Sequence, residues 1–237
     1  MESLIEKTIF TPIKTIHKMT QKKTRFFVIL GNDDPRIYEQ VFINADTKGI
    51  ISYVHNKTVP YKKQFVTGYA YVPPTPFQLK DWERYDISRF VDVGAVSPEK
   101  GRRTLPVSPD EIRYATIAED LEKLSKNVPV EKTIFLFHSP PYNSVLDTAD
   151  LDGKLVDHAP LDVHVGSIAI QRFIVEQQPL VTLHGHIHES PRLTRYWKQK
   201  FDTTFSFSAA HDGLELAVVR FDTDALQNAT RDLIVVS

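Results

Sequence analysis

Three apolar runs in this chain end in the same unusual way. Phe26-Phe27-Val28-Ile29-Leu30 stops at Gly31-Asn32-Asp33-Asp34, and Thr133-Ile134-Phe135-Leu136-Phe137 stops at His138-Ser139-Pro140-Pro141. Leu180-Val181-Thr182-Leu183 stops at His184-Gly185-His186-Ile187-His188-Glu189. Short runs of β-branched and aromatic residues closed by Gly or Pro read as buried strands. The paired prolines forbid continuation of the second one. In open α/β sheets, ligands collect at the carboxyl edge of the strands. Each run therefore delivers carboxamide, carboxylate or imidazole groups to that edge. In extended geometry His186 and His188 share a side, and two neutral imidazoles there suit a divalent transition metal. Gly185 is expected to turn the backbone tightly beside them. A lone His-x-His reads more simply as a polar loop, but three such strand ends point to an α/β sheet with a metal-capable edge.

Composition leaves that reading open and closes others. At 237 residues, with 41% hydrophobic and 25% charged residues, the chain fits one soluble domain spanning 1–237. A net charge of −1 gives no footprint for nucleic acid. The cluster Lys14, Lys18, Lys22, Lys23 and Arg25 reads as a solvated helix face. There is no cysteine, so disulfides and thiolate metal sites are excluded, in keeping with a reducing cytoplasm. Met1 to Gln21 has no continuous apolar stretch of signal-peptide type, and no run approaches membrane-spanning length.

Local patterns set the expected elements. Thr11-Pro12 reads as the cap and first position of a helix ending near Lys22. Asp34-Pro35 repeats that signal for a helix over 36–44, with Ile37, Val41 and Asn44 or Ala45 inward. Strands are expected at Ile50–Val54 and Phe65–Val72, with loop over 80–100. Ser108-Pro109-Asp110-Glu111 is a capping box for a helix to about Asn127, striped by Tyr114, Ile117, Ala118, Leu121 and Leu124. A long polar connection, 139–165, follows the second apolar run, and connections of that length are usually functional. A helix over 166–178 should bury Ile170, Phe173, Ile174 and Gln177. Strands 203–208 and 214–221 are expected to pair through Asp212-Gly213, with a last edge strand at Leu233–Val236.

Gly31-Asn32-Asp33-Asp34, then His138, then Gly185-His186-Ile187-His188, in that order, resemble the metallophosphoesterase (calcineurin-like phosphoesterase) superfamily. Gly68-Tyr69-Ala70-Tyr71-Val72-Pro73-Pro74-Thr75-Pro76-Phe77, Lys80-Asp81-Trp82-Glu83 and His164-Val165-Gly166-Ser167 look like its prokaryotic branch that writes Gly-Asn-Asp for Gly-Asn-His. The likeness runs from about residue 9 to 222. It implies a four-layer αββα sandwich and hydrolysis of a phosphomonoester or phosphodiester at two divalent cations, Mn, Fe or Zn. It implies metal ligands Asn32, His138, His186 and His188.

Two blocks of the family pattern are missing. An Asp-x-His and a Gly-Asp, each ending a strand, normally precede the Gly-Asn block and supply three further ligands, one of them bridging both metals. Only 25 residues precede Phe26, and there is no Gly-Asp dipeptide; one βαβ unit takes roughly 30 residues. Asp162-Val163-His164 is an Asp-x-His, but it falls late and has its own counterpart in the branch. The resemblance therefore implies a sandwich short of about two N-terminal strands, with one metal or none and an impaired hydrolase. The alternative is a non-catalytic remnant acting by interaction. The absent strands also imply self-association or a separately encoded N-terminal piece. Nothing in the sequence selects among nucleotide, cyclic nucleotide, protein or lipid phosphoesters.

Each candidate keeps a plainer reading. Asn32 can be a turn residue. Asp33 can assist a leaving group, orient water or simply stay ionised. His164 is the candidate catalytic group of the long loop, with His158 and Asp162 able to approach a phosphate. Asp147, Asp150, Asp152 and Asp157 read as solvated loop acids. His184 is a donor behind the site, a substrate contact or a packing residue. Trp82, Tyr85 and Phe90 read as lids on the core.

Overall fold

The computed structural model describes residues 1–235. Its N-terminus is one continuous helical stretch: α1 (Glu2–Ile5), a wide π turn over Glu6–Phe10, and α2 (Thr11–Met19). Thr11-Pro12 is thus not a helix start. Pro12 lacks an N–H and clashes with the preceding turn, and the widened turn just before it is the usual way a helix carries such a residue. Phe10 and Ile13 of this stretch are buried.

Strand β1 (Phe27–Val28) pairs parallel with β2 (Ser52–Tyr53), its one partner among the described residues. Between them run a 3₁₀ turn (Arg36–Tyr38) and α3 (Glu39–Thr47). Asp34 does not cap that turn: its carboxylate accepts Gly31 N–H at 2.8 Å, and the distant Asp81 accepts Arg36 N–H at 2.8 Å. The buried face of α3 is Phe42 and Ala45, whereas Ile37 is exposed.

The central sheet is mixed. Its order is β3 (Lys57–Tyr61), β4 (Gln64–Tyr69), β5 (Thr133–Phe137), β8 (Val181–His184), β10 (Thr204–Ser208), β9 (Lys198–Phe201). The β3–β4 pair is antiparallel, and β4, β5, β8 and β10 run parallel. Strand β9 returns antiparallel to β10. The expected hairpin through Asp212-Gly213 does not form. Strand β10 is the inner strand of the β9–β10 hairpin, and β11 (Leu216–Arg220) pairs instead with β12 (Thr230–Ile234). Val236, the end of the expected last strand, lies outside the described residues. A small ribbon, β6 (Leu155–Val156) with β7 (Ala159–Pro160), sits inside the long 139–165 connection.

Alternation along the strands gives the sheet two apolar faces. Phe135 and Phe137 point into the larger core with Phe42, Tyr69, Trp82, Leu121, Ile170 and Phe173. Helices α3, α5 (Ile117–Ser125) and α6 (Ile168–Gln177) cover this side. Ile134, Val181 and Phe207 face a second core closed by Leu226, Ala229, Val219 and Phe221. Burying each such side chain contributes roughly 1.5–3 kcal/mol. Helix α4 (Pro109–Tyr114) and α5 are two helices, not one. Ala115 and Thr116 are extended, and Thr116 caps α5 through Glu119 N–H as Ser108 caps α4 through Glu111 N–H. Tyr114 is consequently exposed, as are Gln177 and Phe90, while Trp82 and Tyr85 are buried. No described helix is long and apolar enough to cross a membrane.

Candidate metal and phosphate site

The parallel strands β5 and β8 of the central sheet, with the turn after β1 of the small sheet, bring three sequence-distant residues to one point. Asn32 follows β1 by a tight turn, His138 ends β5, and His186 lies two residues beyond β8. Asn32 is buried, and its Oδ1 sits 2.8 Å from His138 Nε2 and 2.9 Å from His186 Nδ1. The two imidazole centroids are 5.1 Å apart. A carboxamide oxygen only accepts, so both ring nitrogens donate to it in this state. A cation bound at these three atoms would require both protons to move to the other ring nitrogens or leave.

Local geometry makes the convergence possible. A Cβ on Gly31 would stand 2.6 Å from His138 Cε1, so the ring packs directly on the glycine backbone. The close approach thus falls on Gly31. At Gly185 a Cβ would make ordinary contacts, and the left-handed residue is His186 itself, at φ 69°. Burial holds both rings neutral. Desolvation, then the charge of His188, lowers His138 to about 4. Desolvation, then His138 and His188, lowers His186 well below the usual range. His188, two residues further on, is exposed.

Asp33 is exposed next to the site, its Oδ1 3.2 Å from Asn32 Nδ2. His184 is a packing residue: buried, stacked on Phe137, with Nδ1 on the Ser139 carbonyl at 2.9 Å and Nε2 on Thr182 Oγ1 at 2.7 Å. His158 lies at the tip of the β6–β7 ribbon. His164 does not join the Asn32 group; its Nδ1 pairs with Asp147 at 2.8 Å. Asp147 is fully buried, unlike the solvated acid expected from the sequence. Sequence reasoning also passed over His211 and Glu215, a 2.9 Å pair just beyond β10 on the same edge. A histidine three residues past an apolar run was the available signal.

Donor chemistry fits a divalent transition cation: one carboxamide oxygen and two imidazoles. Right-angle ligands about 2.1 Å from a metal stand roughly 3 Å apart, close to the spacings observed. Among the described residues, no three His, Cys, Asp or Glu side chains are grouped to hold a metal. The converging set itself is uncharged.

No family profile matches the chain. An uncharacterized protein of Methanocaldococcus jannaschii, MJ1162, is 37% identical over 86 residues, 35% of this chain and 34% of that protein. The match therefore spans about a third of the relative's length. One solved crystal structure superposes at a TM-score of 0.57 with 15% identity, over 98% of this chain and 75% of the other. A Staphylococcus aureus protein, named provisionally as a 5'-nucleotidase and crystallised with alpha-ketoglutarate, reaches 0.42 at 13% identity, over 99% and 42%. The first likeness concerns the fold alone, and the second is too loose to extend it.

Proposed function

We propose that this chain carries the imidazole side of a divalent-metal site and is a phosphoester hydrolase of the calcineurin-like metallophosphoesterase type. The observation that carries this reading is Asn32 Oδ1 lying within 2.9 Å of both His138 Nε2 and His186 Nδ1. Three strand ends far apart in sequence deliver one carboxamide oxygen and two imidazoles to one point, which suits Mn²⁺, Fe or Zn²⁺. A cation there would polarise a phosphoryl oxygen and supply a nucleophile from water at neutral pH. Asn32, His138 and His186 would hold it. His188, exposed two residues beyond His186, would meet a second cation or the phosphate. Asp33, exposed beside Asn32, would assist the leaving group or orient water.

Charge sets the limit of this site. Two dications sharing it would need carboxylate between them, and the converging set is neutral. One cation at most, with hydrolysis far below that of a relative with a full ligand set, follows from that balance. In the four-layer sandwich that the resemblance implies, strands beside β1 bring the missing carboxylates. The β1 edge away from β2 is where such strands would add. The neutrality of the cluster also favours a second reading, a non-catalytic interaction protein with one weak metal site.

Titration calorimetry with Mn²⁺ and hydrolysis of an aryl phosphodiester test both readings. The expected result is one weak site, lost in Asn32→Ala, His138→Ala and His186→Ala, with slow turnover. No metal uptake, or uptake indifferent to those substitutions, overturns the metal assignment. Rapid turnover abolished by His186→Ala would remove the impairment and the non-catalytic reading together.

A further inference from the structure

The long connection after β5 is built around one buried carboxylate. Asp147 accepts the backbone N–H of Asn143 at 3.0 Å, Ser144 at 2.9 Å and Gly166 at 3.1 Å, and pairs with His164 Nδ1 at 2.8 Å. A carboxylate so surrounded is fixed in orientation. It also fixes the histidine: facing an acceptor, Nδ1 must carry a proton, and Nε2 is the ring atom left for a ligand. The His164 side chain is 28% exposed, whereas Asp147 is 0% exposed, so the dyad is open at the imidazole end alone.

The loop that carries this dyad is tied to the chain segments that follow His138 and His188. Ser167 N–H donates to Pro140 O at 2.9 Å, and Gly166 packs against Pro140 and Pro141 so closely that a Cβ would stand 2.7 Å from Pro140 O. His164 is therefore two residues from a segment seated on the residues that follow His138. On its other side the same loop is tied to residues just after His188. Thr148 N–H donates to Ser190 Oγ at 3.2 Å and Asp150 N–H to Glu189 Oε1 at 3.1 Å. Asp162 accepts His164 N–H at 2.9 Å and the Tyr142 hydroxyl at 2.7 Å, and the Tyr142 ring meets the imidazole edge-on at 6.0 Å. The backbone and flank of His164 are thus held as firmly as its Nδ1.

We infer that His164 is a phosphate-contacting residue and Asp147 its positioning residue, Nε2 donating to an oxygen of a phosphoryl group bound at the Asn32–His138–His186 cluster. A donor on a rigid loop gains from pre-organisation, since little rotamer freedom is lost when the anion arrives. The ligand class is the phosphate monoanion or dianion of an ester, and Asp147 offsets the imidazolium charge that such a contact uses. This inference rests on the phosphoester reading above.

The probe is inorganic phosphate, titrated into the full chain with and without Mn²⁺ by calorimetry. Imidazole ¹⁵N spectra of the metal-free protein are followed in parallel. Phosphate should bind the wild-type chain, and His164→Ala should weaken it about tenfold or more with Mn²⁺ affinity unchanged. His164→Gln, which keeps a donor, should recover part of the loss. Asp147→Asn should weaken phosphate and broaden the His164 tautomer from its Nδ1–H form; should that variant unfold, the two His164 variants decide alone. Phosphate binding indifferent to His164 overturns this inference and leaves the metal site standing. Mn²⁺ uptake with no phosphate binding does the same. With no Mn²⁺ uptake the phosphoester reading fails, and the His164 resonances then judge the inference: a shift with phosphate supports it, and none overturns it.

Discussion

The indole N–H of Trp82 donates to the Asp34 carbonyl at 2.8 Å, so a fully buried ring holds the turn that carries Asn32. Arg36, just past that turn, lies over the same ring at 5.3 Å from its centroid. Trp82→Phe keeps much of the packing and removes the donor. It should cost about 1–3 kcal/mol in urea unfolding and weaken Mn²⁺ binding, because Asn32 loses its fixed position. Unchanged metal affinity in a folded Trp82→Phe protein would show that the turn is held by its other bonds.

Gly31→Ala tests the packing of His138 on the backbone. The added Cβ would meet the ring at 2.6–2.7 Å, and the ring would have to swing away from Asn32. Overpacking of this kind costs about 1–3 kcal/mol. Calorimetry should show Mn²⁺ binding lost while circular dichroism remains native-like. Retained binding would mean that the ring can shift without leaving the cluster.

Acid should unfold this protein early, and His55 gives the sign. Burial first, then Arg36 and Arg84, lower it to about 3 from an ordinary 6.5. The unfolded chain therefore binds the proton that the folded chain refuses. Stability is complete above about pH 6.5 and falls as pH drops toward 3, by about 2 kcal/mol at pH 5 from this residue alone. Urea midpoints at pH 7.5 and 5 measure it, and the decline should be shallower in His55→Gln. An equal decline in that variant would assign the acid sensitivity to other groups.

The edges of the folded sheets are guarded unequally. Lys57 and Pro60 lie on β3, and Lys198 and Lys200 on β9, the outer strands of the central sheet. Lysine and proline discourage edge-to-edge pairing. Strand β1 sits in Phe26-Phe27-Val28-Ile29-Leu30, an uncharged run without proline, and among the described residues is paired on one side only. Light scattering of purified 1–237 should therefore show association, reduced by Phe27→Lys. A cooperative monomer would mean that the N-terminal helical stretch shields the edge.

The strand ends were legible because each signal is local. The apolar runs before His138 and His186 became β5 and β8, and their parallel pairing carries both histidines to the Asn32 turn. What the sequence concealed depends on partners distant along the chain. Asp34 and Pro35 spell a helix cap, yet Asp81 provides it from 45 positions away. Asp147 reads as one solvated acid among several, and only the folded loop surrounds it with N–H groups. The Asp212-Gly213 turn signal lost to the β9–β10 pairing, in which Asp202, at φ 50°, serves as the turn.

His186 carries one further consequence. A left-handed backbone costs a side chain with a Cβ about 1–2 kcal/mol that glycine does not lose, and here that conformation points Nδ1 at Asn32. His186→Gly should therefore be the least damaging substitution at this position for the fold while abolishing the cluster. The residue that most defines the site is held against the preference of its own backbone, so selection for stability alone would discard it.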